Sequence, residues 1–192
     1  LGNNKNHSPH LHGFLIAVST FFLAILASFI SQIILDNITS LILAFILLAV
    51  IILLGIIFDI VGVAATVASD RAFHAKAAKR VPGARQALGI VRNSHTVASF
   101  ANDVVGDISG TLSGAIGAVI VLRLLTGQVS NVQLFAGTVM TAAIAALTVG
   151  GKAMGKSVAI NKAEEVVFQV GRLLFWWERI FKVEFFANGK RR

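Results

Sequence analysis

No cysteine occurs among the 192 residues, which excludes disulfide bonds and thiolate metal sites. Charge is scarce as well. Asp, Glu, Lys and Arg make up 14% of the chain, where a soluble domain carries about 25%. Hydrophobic residues reach 56% and the mean hydropathy is +0.80, so the apolar surface calls for lipid rather than a larger core. The net charge of +8 is uneven, with much of the excess at 71–92 and 152–192. In so apolar a chain, that asymmetry marks the cytoplasmic side of a membrane rather than a nucleic-acid surface. No internal repeat or low-complexity segment interrupts the pattern.

Crossing a bilayer takes about 20 mainly apolar residues. Residues 1–12, LGNNKNHSPHLH, are polar and read as a flexible N-terminus whose histidines, His7, His10 and His12, are incidental. Residues 13–35 form a first span, too long for a signal-peptide core and followed by no A-x-A-like cleavage site, hence a retained anchor. Asp36, Asn37 and Thr39 break the run, and 40–68 form a second span. Arg71, Lys76, Lys79, Arg80, Arg85 and Arg92 follow. Ser69 or Asp70 is placed to cap a short helix to about Arg80, Pro82–Gly83 is a turn, and a second short helix covers 84–92.

Residues 96–125 form a third span rich in small residues, TGQVSN a turn, and 132–151 a fourth span. The last helix, about 162–183, is amphipathic. Val166, Val170, Leu173, Leu174, Trp177 and Phe181 share one face, with Glu165, Gln169, Arg172 and Arg179 opposite. Trp176 and Trp177 suit the interface level of a bilayer. The expectation is an all-α integral membrane protein with four transmembrane helices, cytoplasmic juxtamembrane helices, a C-terminal amphipathic interfacial helix and a basic tail at 184–192. The positive-inside rule places 70–95 and the chain after 152 in the cytoplasm. It leaves the turns at 36–39 and 126–131 outside, so the protein is multi-pass with both termini cytoplasmic.

GGKAMGKS, residues 150–157, fits the phosphate-loop pattern G-x-x-x-x-G-K-[ST] through Gly150, Gly155, Lys156 and Ser157. A true phosphate loop follows a buried strand and opens a helix, whereas the preceding AGTVMTAAIAALTV reads as a membrane helix. Hydrolysis also needs a carboxylate on a later strand to hold Mg²⁺, and no aspartate follows Asp107. No nucleotide is expected. Gly150, Gly151 and Gly155 read instead as loosening a helix end, with Lys152 and Lys156 at the cytoplasmic face. Covalent enzyme chemistry is not expected either, since His74 and His95 stand in the basic segment without an evident nucleophile.

Polar residues inside spans are costly and face protein or a wet cavity. Asp59 lies in the second span, and Asn102, Asp103, Asp107, Ser109 and Ser113 in the third. Asp103 and Asp107 are one turn apart, beside Gly106, Gly110 and Gly114, whose spacing admits another backbone. These hard oxygen donors suit Mg²⁺ or Ca²⁺. A self-satisfied polar network, with Lys152 pairing an aspartate, is the competing reading. If the third span starts later, Asp103 and Asp107 are simply acids at a helix N-terminus.

Over roughly 45–175 the chain resembles the transmembrane domain of the cyclin M/CorC family of magnesium transporters. GKAMGKSVAINKAEEVVFQVGRLL is similar to that family's G-E-x-x-P-K-S-x-A block through Gly151, Lys156, Ser157 and Ala159. FDIVGVAATVASDRAFHAKAAKRVPGARQAL resembles its F-S-x-S-E-x-A stretch and basic juxtamembrane helix through Phe58, Ala64, Gly83 and Ala87. NSHTVASFANDVVGDISG stands where the family has its asparagine-rich segment.

The resemblance implies a homodimer in a bacterial cell membrane that transports Mg²⁺. The family-like domain covers 40–183, with 13–35 as an additional span. Asp59, Asn102, Asp103, Asp107 and Ser109 would line the ion path. The departures fall on the family's ligands: Asp59 and Val61 replace serines, Gly62 and Lys152 replace glutamates, and Gly155 replaces the proline. Lys152 is thus a candidate tethered charge in the metal's place. The family's nucleotide-sensing CBS pair has no counterpart here, so its regulation is expected to be absent or on a separate chain. A non-transporting assembly or sensing protein of the same fold, with its charges paired internally, is the alternative.

Overall fold

The structure, a computed structural model, describes residues 9–127 and 130–182. The polar start before Pro9, Val129 and Gln128 of the TGQVSN turn, and the basic tail lie outside the described residues. All regular structure among them is helical. Four stretches are long and apolar enough to cross a membrane: Ile16–Asn37, Leu41–Val67, Ser94–Leu124 and Asn131–Asn161. The protein is therefore an all-α, multi-pass membrane protein.

Helix α1 covers Pro9–Asn37 and so takes in the last four residues of the polar start, while α2 covers Leu41–Val67. Two short helices follow, α3 (Arg71–Ala78) and α4 (Ala84–Arg92). Asp70 occupies the N-cap of α3, but no side-chain cap bond forms. The turn between the two helices needs Gly83, whose φ of 87° few other residues adopt. The third span is built from α5 (Ser94–Ala98), a π-helical segment at Ser99–Val105 and α6 (Gly106–Leu124). Helix α7 runs Ser130–Asn161 and α8 Ala163–Phe181.

The fourth span differs from expectation. Residues 150–157 do not loosen a helix end, because α7 continues ten residues beyond 151. Its glycines serve packing. A Cβ on Gly155 would stand 2.7 Å from Ile60 Cγ1, and one on Gly151 would strike Ile56. A glycine inside a helix costs about 1 kcal/mol relative to alanine, and the close approach of α2 offsets it.

The described chain divides into two compact units. The first comprises the residues up to Ile52 together with Asp107–Ala145. Its buried positions follow helical spacing: Ala44, Leu48 and Ile52 on α2, and Ser109, Ser113, Ile116 and Ile120 on α6. Gly117 lies against Met140 and Ile144 of α7. Arg123 closes the open C-terminus of α1, donating from Nη2 to the Leu35 carbonyl (2.9 Å) and from Nη1 to that of Ile38 (2.7 Å). The Leu35 carbonyl also accepts from the Ile38 N–H at 3.2 Å, so the guanidinium adds to a frayed helix end whose last carbonyls have few intrahelical donors.

The second unit comprises Leu53–Gly106 and the residues from Ala146 onward. Its core joins Ala64, Ala65 and Ala68 of α2, Phe73 of α3, Ala87 and Ile90 of α4, Ala159 of α7, and Ala163 and Val167 of α8. Helices α4 and α8 cross at glycine. The Gly83 carbonyl would lie 2.5 Å from a Cβ on Gly171, and Ala87 N 2.8 Å. Gln86 donates a hydrogen bond to Glu178 along the same contact. The packed side of α8 is therefore Ala163, Val167 and Gly171. On the stripe that the sequence marks as apolar, Val166, Val170 and Leu174 are partly buried against this core, while Leu173, Trp177 and Phe181 stay exposed.

Two substitutions test this architecture by thermal unfolding in detergent. Gly171→Ala is expected to cost about 1–3 kcal/mol through overpacking against α4. Gly137→Ala, in open space, should be neutral or slightly stabilising. Equal effects would remove the glycine crossing. Arg123→Ala, which strips donors from two helix-end carbonyls, is expected to cost about 1.5–3 kcal/mol; a loss within about 0.5 kcal/mol would place it among inconsequential surface changes.

Candidate intramembrane polar site

The second unit holds a polar site built from three helical segments. Asp59 comes from α2, Asn102 from the π-helical segment, and Thr148 and Lys152 from α7. Asp59 is 6% exposed, in a span where nothing local satisfies a carboxylate. Lys152 Nζ approaches Asp59 Oδ1 to 3.8 Å, and its side chain is 22% exposed. The pair is close enough for strong attraction but longer than a direct hydrogen bond.

Two glycines make room for this arrangement. Gly62 lies one turn after Asp59 on α2, and a Cβ there would collide with the Asn102 side-chain amide. Gly106 lies one turn after Asn102, and its Cβ would stand 3.2 Å from Lys152 Nζ. Small residues at 62 and 106 thus admit the amide and the ammonium. The π-helical segment carries i→i+5 bonds, a rare local widening of the helix found mostly at functional sites. It changes the register in which Asn102 and Asp103 leave the backbone.

Among the described residues, three buried side-chain oxygens have no hydrogen-bond partner: Asp59 Oδ2, Asn102 Oδ1 and Thr148 Oγ1. Thr148 sits one turn before Lys152 on the same face of α7. Unpaired buried polar groups are rare and costly. Asp59 Oδ2 belongs to the ion pair itself, and the Asn102 amide lies against Gly62, one turn along α2.

The expected ligand set is distributed unequally. Asp59, Asn102 and Lys152 fall in this site. Asp103 is exposed and makes no ion pair among the described residues. Asp107 and Ser109 belong to the first unit. Asp107 is exposed, in the first turn of α6. Ser109 is buried, and its carbonyl accepts a 2.7 Å bond from Ser113 Oγ. Among the described residues, no three His, Cys, Asp or Glu side chains gather into a metal-ligand cluster. Thr148 and the accommodating role of Gly62 and Gly106 escape sequence reasoning. A threonine one turn from an intramembrane lysine was the available signal for the first.

Compared with protein-family models, curated proteins and solved structures, the chain gives no match.

A double-mutant cycle tests the Gly62–Asn102 contact. Gly62→Ala alone is expected to cost about 1–3 kcal/mol. In an Asn102→Ala background the same change should cost less, with a coupling of at least about 0.5 kcal/mol. Additive thermal shifts would show that the amide does not occupy the space beside Gly62.

Proposed function

We propose that the protein is a divergent cation transporter of the cyclin M/CorC kind, acting as a homodimer, whose intramembrane site is closed by its own lysine between transport events. The supporting observation is the set of three partnerless buried oxygens, Asp59 Oδ2, Asn102 Oδ1 and Thr148 Oγ1, in the unit where Lys152 lies 3.8 Å from Asp59. Carboxylate, amide and hydroxyl oxygens are the donors that Mg²⁺ and other hard cations accept. The resemblance implies family ligands at 59, 61, 62 and 152. At 59 and 152 the chain carries a different charged group, at 61 valine supplies no ligand, and Asn102 fills the space beside Gly62.

Charge decides the order of events. A divalent ion about 4 Å from an ammonium is repelled by about 8 kcal/mol at an effective dielectric near 20. Mg²⁺ and the Lys152 ammonium therefore do not share the site. The cation enters when the lysine side chain swings away, and Lys152 restores neutrality when the cation leaves. A non-transporting protein with a permanently paired Asp59 is the second reading, favoured by the ion pair itself and by the lack of an acidic cluster among the described residues.

Lys152→Gln separates the two readings. If the site accepts a cation, this variant gains a Mg²⁺-dependent rise in unfolding temperature, worth about 2.7 kcal/mol at a hundredfold excess over Kd. The added change Asp59→Asn abolishes that rise without unfolding the protein, since both charges are then gone. Mg²⁺ flux into proteoliposomes should follow the same order. A folded Lys152→Gln protein indifferent to Mg²⁺, Mn²⁺ and Ca²⁺ would defeat the transport reading and leave the paired one. In that case Asp59→Asn alone would chiefly destabilise, by about 3–5 kcal/mol for a broken buried pair.

A further inference from the structure

A groove of about 500 Å³ lies within the second unit, between the end of α2 and the start of α8. Its floor is apolar: Ile57, Ile60 and Val61 from α2, and Leu173 from α8. Ile57 and Leu173 are 51% and 65% exposed, so the floor lacks a cover within the chain. The rim is charged by both signs. Lys76 and Lys162 contribute two cations, and Glu164 and Glu165 two carboxylates. All four are exposed.

These rim charges remain available to a ligand. Lys76 Nζ stands 4.5 Å above the Phe168 ring, a contact that leaves ammonium N–H groups free to donate. Lys162 Nζ and Glu165 Oε2 form an exposed ion pair at 4.0 Å, weak enough at the surface to exchange for the charges of a ligand. Glu164 makes no ion pair among the described residues. Two cations and two carboxylates beside an apolar floor match a ligand that carries both signs on its head and hydrocarbon behind it.

We infer that this groove binds a phospholipid with a primary-amine headgroup, of the phosphatidylethanolamine type. The phosphate lies against Lys76 and Lys162, the ammonium against Glu164 and Glu165, and an acyl chain along Ile57, Ile60 and Leu173. Location supports this choice. The α2 part of the floor belongs to a membrane-spanning stretch, while the rim belongs to the polar segments just beyond it, where lipid headgroups sit. An anionic headgroup satisfies the lysines but brings negative charge to the two glutamates. A choline headgroup carries no N–H to donate to a carboxylate. A primary ammonium has three donors and satisfies both halves of the rim.

The test uses the full chain, purified in detergent and reconstituted into nanodiscs of defined composition. Native mass spectrometry is expected to show one retained phosphatidylethanolamine per chain. Adding this lipid should raise the unfolding temperature by several degrees, while phosphatidylglycerol or phosphatidylcholine at equal concentration should raise it much less. Glu164→Gln with Glu165→Gln removes the ammonium's partners at exposed positions. This variant is expected to fold with unchanged helix content and to lose the preference for phosphatidylethanolamine over phosphatidylglycerol. Equal stabilisation of the wild type by all three lipids would overturn the inference. So would a preference for phosphatidylglycerol, which would assign the groove to anionic lipid, or lipid-free dimers, which would assign it to a second copy. An unchanged preference in the folded double variant would overturn it too.

Discussion

A carboxylate and an ammonium persist inside a bilayer when each neutralises the other. Asp59 and Lys152 do so at 3.8 Å, and the local architecture of the second unit follows from bringing them there. They stand on different helices, so backbones must approach closely enough for a side chain to reach across. Glycine supplies that approach at four positions. Gly151 and Gly155 let α7 settle on Ile56 and Ile60 of α2, while Gly62 and Gly106 clear room for Asn102 and the lysine head. Each helical glycine costs about 1 kcal/mol relative to alanine. Four of them together cost about as much as the 3–5 kcal/mol lost when a buried ion pair is broken, so the packing that the close approach allows between α2 and α7 must contribute as well.

The pair is satisfied in charge but not in hydrogen bonding. Asp59 keeps one oxygen without a donor, as do Asn102 and Thr148. A purely structural ion pair gains from having its remaining lone pairs bonded. Here three helical segments each leave an acceptor oxygen unfilled, and one of those segments carries the rare π-helical geometry. These unfilled acceptors are what supports the proposed cation site. Lys152 balances the charge of Asp59 in a medium that punishes a lone carboxylate.

Helix α8 shows how one element serves two surfaces. Its small residues, Ala163 and Gly171, with Val167, close the core against α4. Its bulky ones, Leu173, Trp176, Trp177 and Phe181, remain exposed. In water such a surface would be an aggregation hazard; beside a membrane it is a contact for lipid. The first turn adds Glu164 and Glu165, near the positive end of the helix dipole where carboxylates are favoured. Electrostatics and packing thus place the charged rim beside the apolar floor without competing for the same residues.

Hydropathy and local turn chemistry by themselves determined the four spans, the two short helices at 71–78 and 84–92, the Pro82–Gly83 turn and the final amphipathic helix. Each depends on residues adjacent in the chain: enough apolar residues in a row to cross a membrane, or one glycine free to adopt a positive φ. Asp59 was also visible as a charge inside a span, with Lys152 as its possible partner. The tertiary structure alone decided that α7 continues through its glycines to Asn161. It also decided that α8 packs on protein chiefly through Ala163, Val167 and Gly171, with only Val166, Val170 and Leu174 of the apolar stripe joining them, and that Asn102 and Thr148, rather than Asp103, share the unit's buried oxygens with Asp59. The physical reason is rotation. Hydropathy adds up along a helix whichever way it faces, whereas a contact between helices depends on which face each presents, and the π-helical segment resets that register in the span carrying most of the polar residues.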